Sequence, residues 1–190
     1  MICIKINIMK ELDKNINRKY SISDYDPDWI VRFGSIKDFV KNIFKDKALS
    51  IEHVGSTSIS GMKAKPIIDV LITVKDIKDL SKEIDEMIRA GYECGENYIA
   101  PNTLIFFSVG PDGEKLENIH VCEINSFKAK QFIIMRDFFR VFPEKAKAYS
   151  DLKESNMQKF PDDYPAYRTA KKPFLDQIEK EAYEWFENIK

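Results

Sequence analysis

Between Ile67 and Val74 the chain reads Ile-Ile-Asp-Val-Leu-Ile-Thr-Val, a nearly continuous β-branched run interrupted by one acid, Asp69. Such a run predicts a strand covered on both faces, which demands a layer of structure on each side of a sheet. A chain of 190 residues with 44% hydrophobic and 12% aromatic content can supply those layers within one domain. An α/β architecture is the expectation.

The segments around this run fit it. Tyr25-Asp26-Pro27-Asp28-Trp29 reads as a turn in which Asp26 or Asp28 caps a helix, with Ile30, Phe33, Ile36, Val40 and Phe44 stepping by three and four to about Lys45. Residues 51–54 are strand-like, 55–66 form a loop with Gly and Ser, and Lys75 to Ala90 carries a helical stripe ending at Gly91. Thr103–Val109 and Leu116–Ile124 flank Pro111-Asp112-Gly113 as an antiparallel hairpin, so the sheet is mixed. Beyond residue 126 the pattern is helical: Phe127 to Phe142 stops at Pro143, Glu144 to Lys159 stops at Pro161, and Phe174, Ile178, Ala182, Trp185 and Ile189 stripe a last helix. Ile2, Ile4, Ile6 and Ile8 alternate with polar residues, making residues 1–19 an added edge strand or an N-terminal extension to a single domain of residues 20–190.

With 30 basic and 31 acidic residues the net charge of -1 gives no general pull toward nucleic acid or anionic lipid. No 18 apolar residues run together and the first twenty lack a secretory apolar core, so the expected setting is cytoplasmic, without a membrane partner. Cys3, Cys94 and Cys122 have none of the paired spacings of a zinc site.

Chemistry concentrates between His53 and Asp69. Gly55 and Ser56 sit at a strand end, and twelve residues intervene before Asp69. Small residues at such a turn let backbone N–H groups approach a phosphate, and a carboxylate on the neighbouring strand can hold Mg2+ against it. A plain turn followed by a strand-end Asp fits the same residues. Thr57 adds a hydroxyl, and Lys65, leading into the Asp69 strand, can neutralise the phosphate; Lys63 reads as a solvated loop lysine. The only histidines, His53 and His120, suit phosphate binding, general base work, or a metal set with Asp69; two half-buried structural imidazoles are the alternative. Arg136 and Arg140 share a helix face and offer an anion contact or bridges to Asp137 and Glu144. Tyr164, Tyr167 and Lys171 are candidates for the far wall of a cleft. The Gly-x-Ser-x-Gly turn of a serine hydrolase is absent, which argues against covalent serine catalysis.

The whole phrase His53-Val-Gly-Ser-Thr-Ser-Ile-Ser-Gly61-Met-Lys-Ala-Lys65-Pro66-Ile-Ile-Asp69 resembles the signature of the GrpB-like family. Tyr25-Asp26-Pro27-Asp28-Trp29, Asn118-Ile119-His120-Val121 and Met135-Arg136-Asp137-Phe138-Phe139-Arg140 resemble further parts of it, so the likeness spans roughly residues 20 to 185. That resemblance implies an α/β (α+β) nucleotidyltransferase-like fold, a mixed β-sheet with flanking helices and a helical C-terminal part. It also implies a nucleotide or other phosphorylated small molecule as ligand, with a nucleoside triphosphate and Mg2+ for nucleotidyl transfer to an acceptor.

Under that resemblance Asp69 and His53 are the catalytic candidates, and Gly55, Ser56, Thr57, Lys65, His120 and Arg136 the ligand-binding ones. The superfamily pattern has two acids one position apart, and here Leu71 stands at the second. Two-metal transfer needs both carboxylates. Glu52, Glu123 and Asp137 are candidates to replace the missing one, with Glu123 favoured as a metal ligand beside Asp69. A non-catalytic descendant that binds a nucleotide, a phosphorylated metabolite or a protein is the alternative.

Overall fold

The computed structural model describes residues 20–111 and 113–189, so the strand expected between Ile2 and Ile8 lies outside the described residues. Five strands form one mixed sheet: β1 (Ser50–Val54), β2 (Ile68–Val74), β3 (Glu93–Glu96), β4 (Thr103–Val109) and β5 (Lys115–Glu123). Their order is β1-β2-β5-β4-β3, with β2 and β5 parallel and every other pair antiparallel. β4 and β5 are the expected hairpin.

β2 explains the layering. Alternate side chains point to opposite faces of a sheet, and Val70, Ile72 and Val74 enter one core with Ile119 and Val121 of β5. Helices α1 (Asp28–Phe44) and α2 (Ser81–Arg89) cover this face through Trp29, Val40, Phe44, Leu80, Ile84 and Met87. On the other face Leu71 packs with Val54, Cys122 and Ala129 of α3 (Phe127–Val141). Both faces of β2 are therefore buried, as the β-branched run requires.

Three more helices follow: α4 (Pro143–Lys159), α5 (Tyr164–Ala170) and α6 (Lys172–Asn188). Ile134, Phe138 and Phe139 of α3, Ala146 and Tyr149 of α4, and Ile178 and Ala182 of α6 share a core that also receives Ile59 and Met62 from the loop after β1. This helical layer lies on the Leu71 face and thus roofs the loop that carries the motif.

Local chemistry sets the boundaries. Ser126 accepts from the Ala129 N–H and Asp163 from the Ala166 N–H, capping α3 and α5. The Asp26 carboxylate accepts from the Asp28 N–H ahead of α1, while Pro27 occupies the cap position itself. The helix expected from Lys75 to Ala90 is instead a 3-10 turn, Ile77–Asp79, tied by Asp76, followed by α2. Among the described residues no helix is long and apolar enough to cross a membrane.

Candidate functional site: a lysine-lined cavity beside Asp69

β1 ends at Val54, which pairs with Asp69 of β2. Gly55 follows with φ +71°, and a Cβ there would lie 2.5 Å from Asp69 Oδ2. Only glycine satisfies both the left-handed backbone and the contact. Ser56–Ser58 then forms a 3-10 turn, closed by the Ser58 hydroxyl donating to the Gly55 carbonyl at 2.7 Å.

Asp69 is held from β5. Asn118, its register partner, donates Nδ2–H to Oδ1 at 2.9 Å, and His120 Nε2 lies 3.6 Å from the same oxygen. Burial raises the Asp69 carboxyl pKa, but the proximity of the His120 ring, with the Asn118 hydrogen bond and Lys65, outweighs it and holds the group below its ordinary value. The His120 ring packs on Phe132 of α3 at 4.7 Å.

Above this carboxylate lies a cavity of about 270 Å3, lined by the Gly55–Thr57 turn, Lys65, Asp69, Asn118, Tyr149, Lys153, Tyr167 and Lys171 among others. Three lysines enter it, each with its Nζ 4.5 Å from a tyrosine ring centre: Lys65 on Tyr164, Lys153 on Tyr149 and Lys171 on Tyr167. Lys153 is 3% exposed and donates to Ser56 Oγ at 3.2 Å and to the Lys63 carbonyl, with no carboxylate partner among the described residues. Burial, then the charges of Lys171 and Lys65, lower its pKa to about 7. Burial, then Lys65 and Arg168, lower that of Lys171 to about 7, against the pull of Asp69. With Asp69 the one lining carboxylate among the described residues, the amines of Lys153 and Lys171 make the cavity a place where a bound anion relieves repulsion.

The structure brings Gly55, Ser56, Thr57, Lys65 and Asp69 together, with Tyr167 and Lys171 on the far wall. It separates others. His53 pairs with Val70, so its side chain lies on the sheet face opposite Asp69, stacked on Phe33 at 4.7 Å. Thr57 Oγ1 donates to the Ile67 carbonyl, so His53 Nε2 must carry the hydrogen that joins it to Thr57 at 3.0 Å. Burial pushes the His53 pKa down to about 4 despite Asp69, with Arg140 and Arg136 adding to the fall. His53 is therefore a neutral structural imidazole, neither a phosphate cation nor a base tuned to neutral pH. His120 does meet Asp69, from behind the cavity, as a group that holds the carboxylate.

Glu123 is misplaced for the role expected of it. Asp69 pairs with Asn118, five residues earlier on β5, so Glu123 is about 16 Å along the strand and faces the opposite side of the sheet. Glu52 faces the correct side, beside Leu71, but Arg136 binds it at 2.8 Å and also binds Asp137 at 2.7 Å. Arg136 thus joins α3 to β1 and has its charge matched, instead of serving an anion in the cavity. Arg140 donates to the Ser58 carbonyl, and Lys63 points outward to Asp24 and Glu154. Among the described residues no three His, Cys, Asp or Glu side chains gather as a metal site, and the donor set does not fit a two-metal centre.

Lys153 and Tyr149 escaped the sequence reading, and Asn118 entered it only within a phrase of the resemblance, without a role at Asp69. The signal for Lys153 was present: it shares a buried helical stripe with Ala146, Tyr149, Ser150 and Asn156, spaced three and four apart. A lysine on the core face of a helix is uncommon without a partner.

The family model described as GrpB protein matches residues 19–181 of this chain. The UPF0157 protein YqkA of Bacillus subtilis is 33% identical over 169 residues, covering 88% of this chain, which spans about half (48%) of that relative's length. The glutamate-rich protein GrpB of Alkalihalophilus pseudofirmus is 30% identical over 154 residues, 79% of this chain and 88% of the relative. A crystal structure of the conserved protein GrpB from Enterococcus faecalis superposes with a TM-score of 0.82 at 29% identity, covering 87% of this chain and 99% of that one. The motif from His53 to Asp69, the mixed sheet that carries it and these matches agree: the chain belongs to the GrpB family.

Proposed function

We propose that the cavity over Asp69 binds the phosphate of a phosphorylated small molecule, such as a nucleotide, through Lys65, Lys153 and Lys171 rather than through a resident divalent cation. The observation that carries this reading is that Lys153 and Lys171, both largely buried, enter a cavity of about 270 Å3 in which Asp69 is the one lining carboxylate among the described residues. An anion placed among them recovers the charge energy that burial withholds from Lys153 and Lys171. Phosphorylated metabolites abound in the cytoplasm, the setting that goes with this reading.

A second reading, nucleotidyl transfer with Mg2+, is favoured by one observation: Asp69 is kept ionised beside the Gly55–Ser56 turn. A single carboxylate serves such a cation only when a nucleoside triphosphate supplies further oxygens. Melting curves with nucleoside mono-, di- and triphosphates, each in EDTA and in Mg2+, separate the two. A ligand that binds only the folded state raises the melting temperature. Lysine-based binding gives a rise in EDTA, metal-assisted transfer gives a rise only with Mg2+ together with a nucleotidylated product, and no rise in either medium overturns both.

A further inference from the structure

Gly55, Ser56 and Tyr149 line the cationic cavity and also a second cavity of about 300 Å3. The second is formed by Ile59, Phe132, Met135, Phe139 and Leu175, with Gln131 and Glu179 hydrogen-bonded to each other in its wall. We infer that the ligand is an organic phosphate whose ring-bearing, apolar part occupies this second cavity while its phosphate lies among the lysines, with Ser56 at the junction.

The chemistry of the two cavities is complementary. Among the described residues Arg136 is the one cation in the second wall, and Glu52 and Asp137 already match its charge, so this wall offers nothing to a second phosphate. Its apolar lining favours a group that releases water from Phe132, Met135 and Phe139. The volume is about twice the ~150 Å3 that accommodates a benzene ring in an apolar protein cavity. Met135 and Leu175 are half-buried, and an unbranched thioether adapts readily to the outline of a ring. Continuity with the lysine site decides the occupant: a free hydrocarbon would leave Lys153 and Lys171 without an anion, and inorganic phosphate would leave the apolar wall wet.

The inference rests on the phosphate reading above, and calorimetric titration keeps the two apart. Inorganic phosphate, phenyl phosphate and naphthyl phosphate are titrated into the wild-type protein and into Leu175→Gln and Met135→Gln, with folding of each variant checked by its melting curve. The expected result is that the ring-bearing phosphates bind about tenfold or more tighter than inorganic phosphate. Either substitution should remove most of that advantage while inorganic phosphate binds as before. Equal affinity for all three compounds, or an advantage that survives in both variants, overturns the inference and leaves the lysine site standing. No binding by any of the three overturns the lysine site itself.

Discussion

Gly55 and Asp69 meet at the end of the β1–β2 pair with no room for a side chain, since a Cβ on Gly55 would lie 2.5 Å from Asp69 Oδ2. Gly55→Ala must therefore shift the carboxylate, and the φ of +71° adds backbone strain. The expected cost is about 1–3 kcal/mol of stability by urea denaturation, with weakened phosphate binding. Wild-type stability and affinity in this variant would mean that the contact is slack.

Leu71 stands where a second acid would complete a metal pair, yet it is fully buried against Val54, Cys122 and Ala129. Leu71→Asp should destabilise the fold by about 3 kcal/mol or more, because it loses apolar burial and places a carboxyl in a dry core. Titration with Mg2+ should reveal no gained site. Tight Mg2+ binding by a stable variant would show that the fold still supports the paired-acid centre.

The lysines make stability and binding depend on pH in opposite ways. Lys153 and Lys171 have folded-state pKa values lowered to about 7 from 10.5, so between those values the unfolded chain holds more protons than the folded one. Stability of the free protein should rise with pH through that window, the burial penalty being full and constant below pH 7. Phosphate binding needs the ammonium forms and should weaken from about pH 6 to about pH 9. Melting temperatures with and without phosphate should converge on going up in pH, and Lys153→Met with Lys171→Met should flatten both trends.

His53 acts in a separate acid window. Its pKa falls from 6.5 to about 4 on folding, so the unfolded chain takes up a proton first and stability declines as pH drops from 6.5 toward 4. Denaturation of the wild type and His53→Gln across this range should give a shallower acid loss in the variant. Identical slopes would contradict a neutral, buried His53.

The location of the candidate cavity was legible because several of its lining residues are close in sequence: Gly55, Ser56, Lys65 and Asp69 fall within one loop and the strand it feeds. The layering was legible for a similar reason, since a β-branched run states its own burial. Distant pairings were not. The role given to Glu123 depended on the register of β5 against β2, which sets Asp69 opposite Asn118 and cannot be read from either strand alone. His53 and Glu52 are neighbours in β1, and alternation sends one to Phe33 and the other to Arg136, so which of them faced Asp69 followed only from the β1–β2 pairing. Lys153 arrives on α4, 97 residues after Ser56, through packing of the helical layer over the motif loop.

The most direct measurement is calorimetric titration of a phosphate compound in EDTA into the wild type, Asp69→Asn and Lys171→Met. Binding by lysines without a metal requires wild-type affinity in EDTA, equal or tighter binding by Asp69→Asn, which removes the negative charge of Asp69, and loss of about tenfold or more in Lys171→Met. Binding that appears only when Mg2+ is added, and that vanishes in Asp69→Asn, would contradict it.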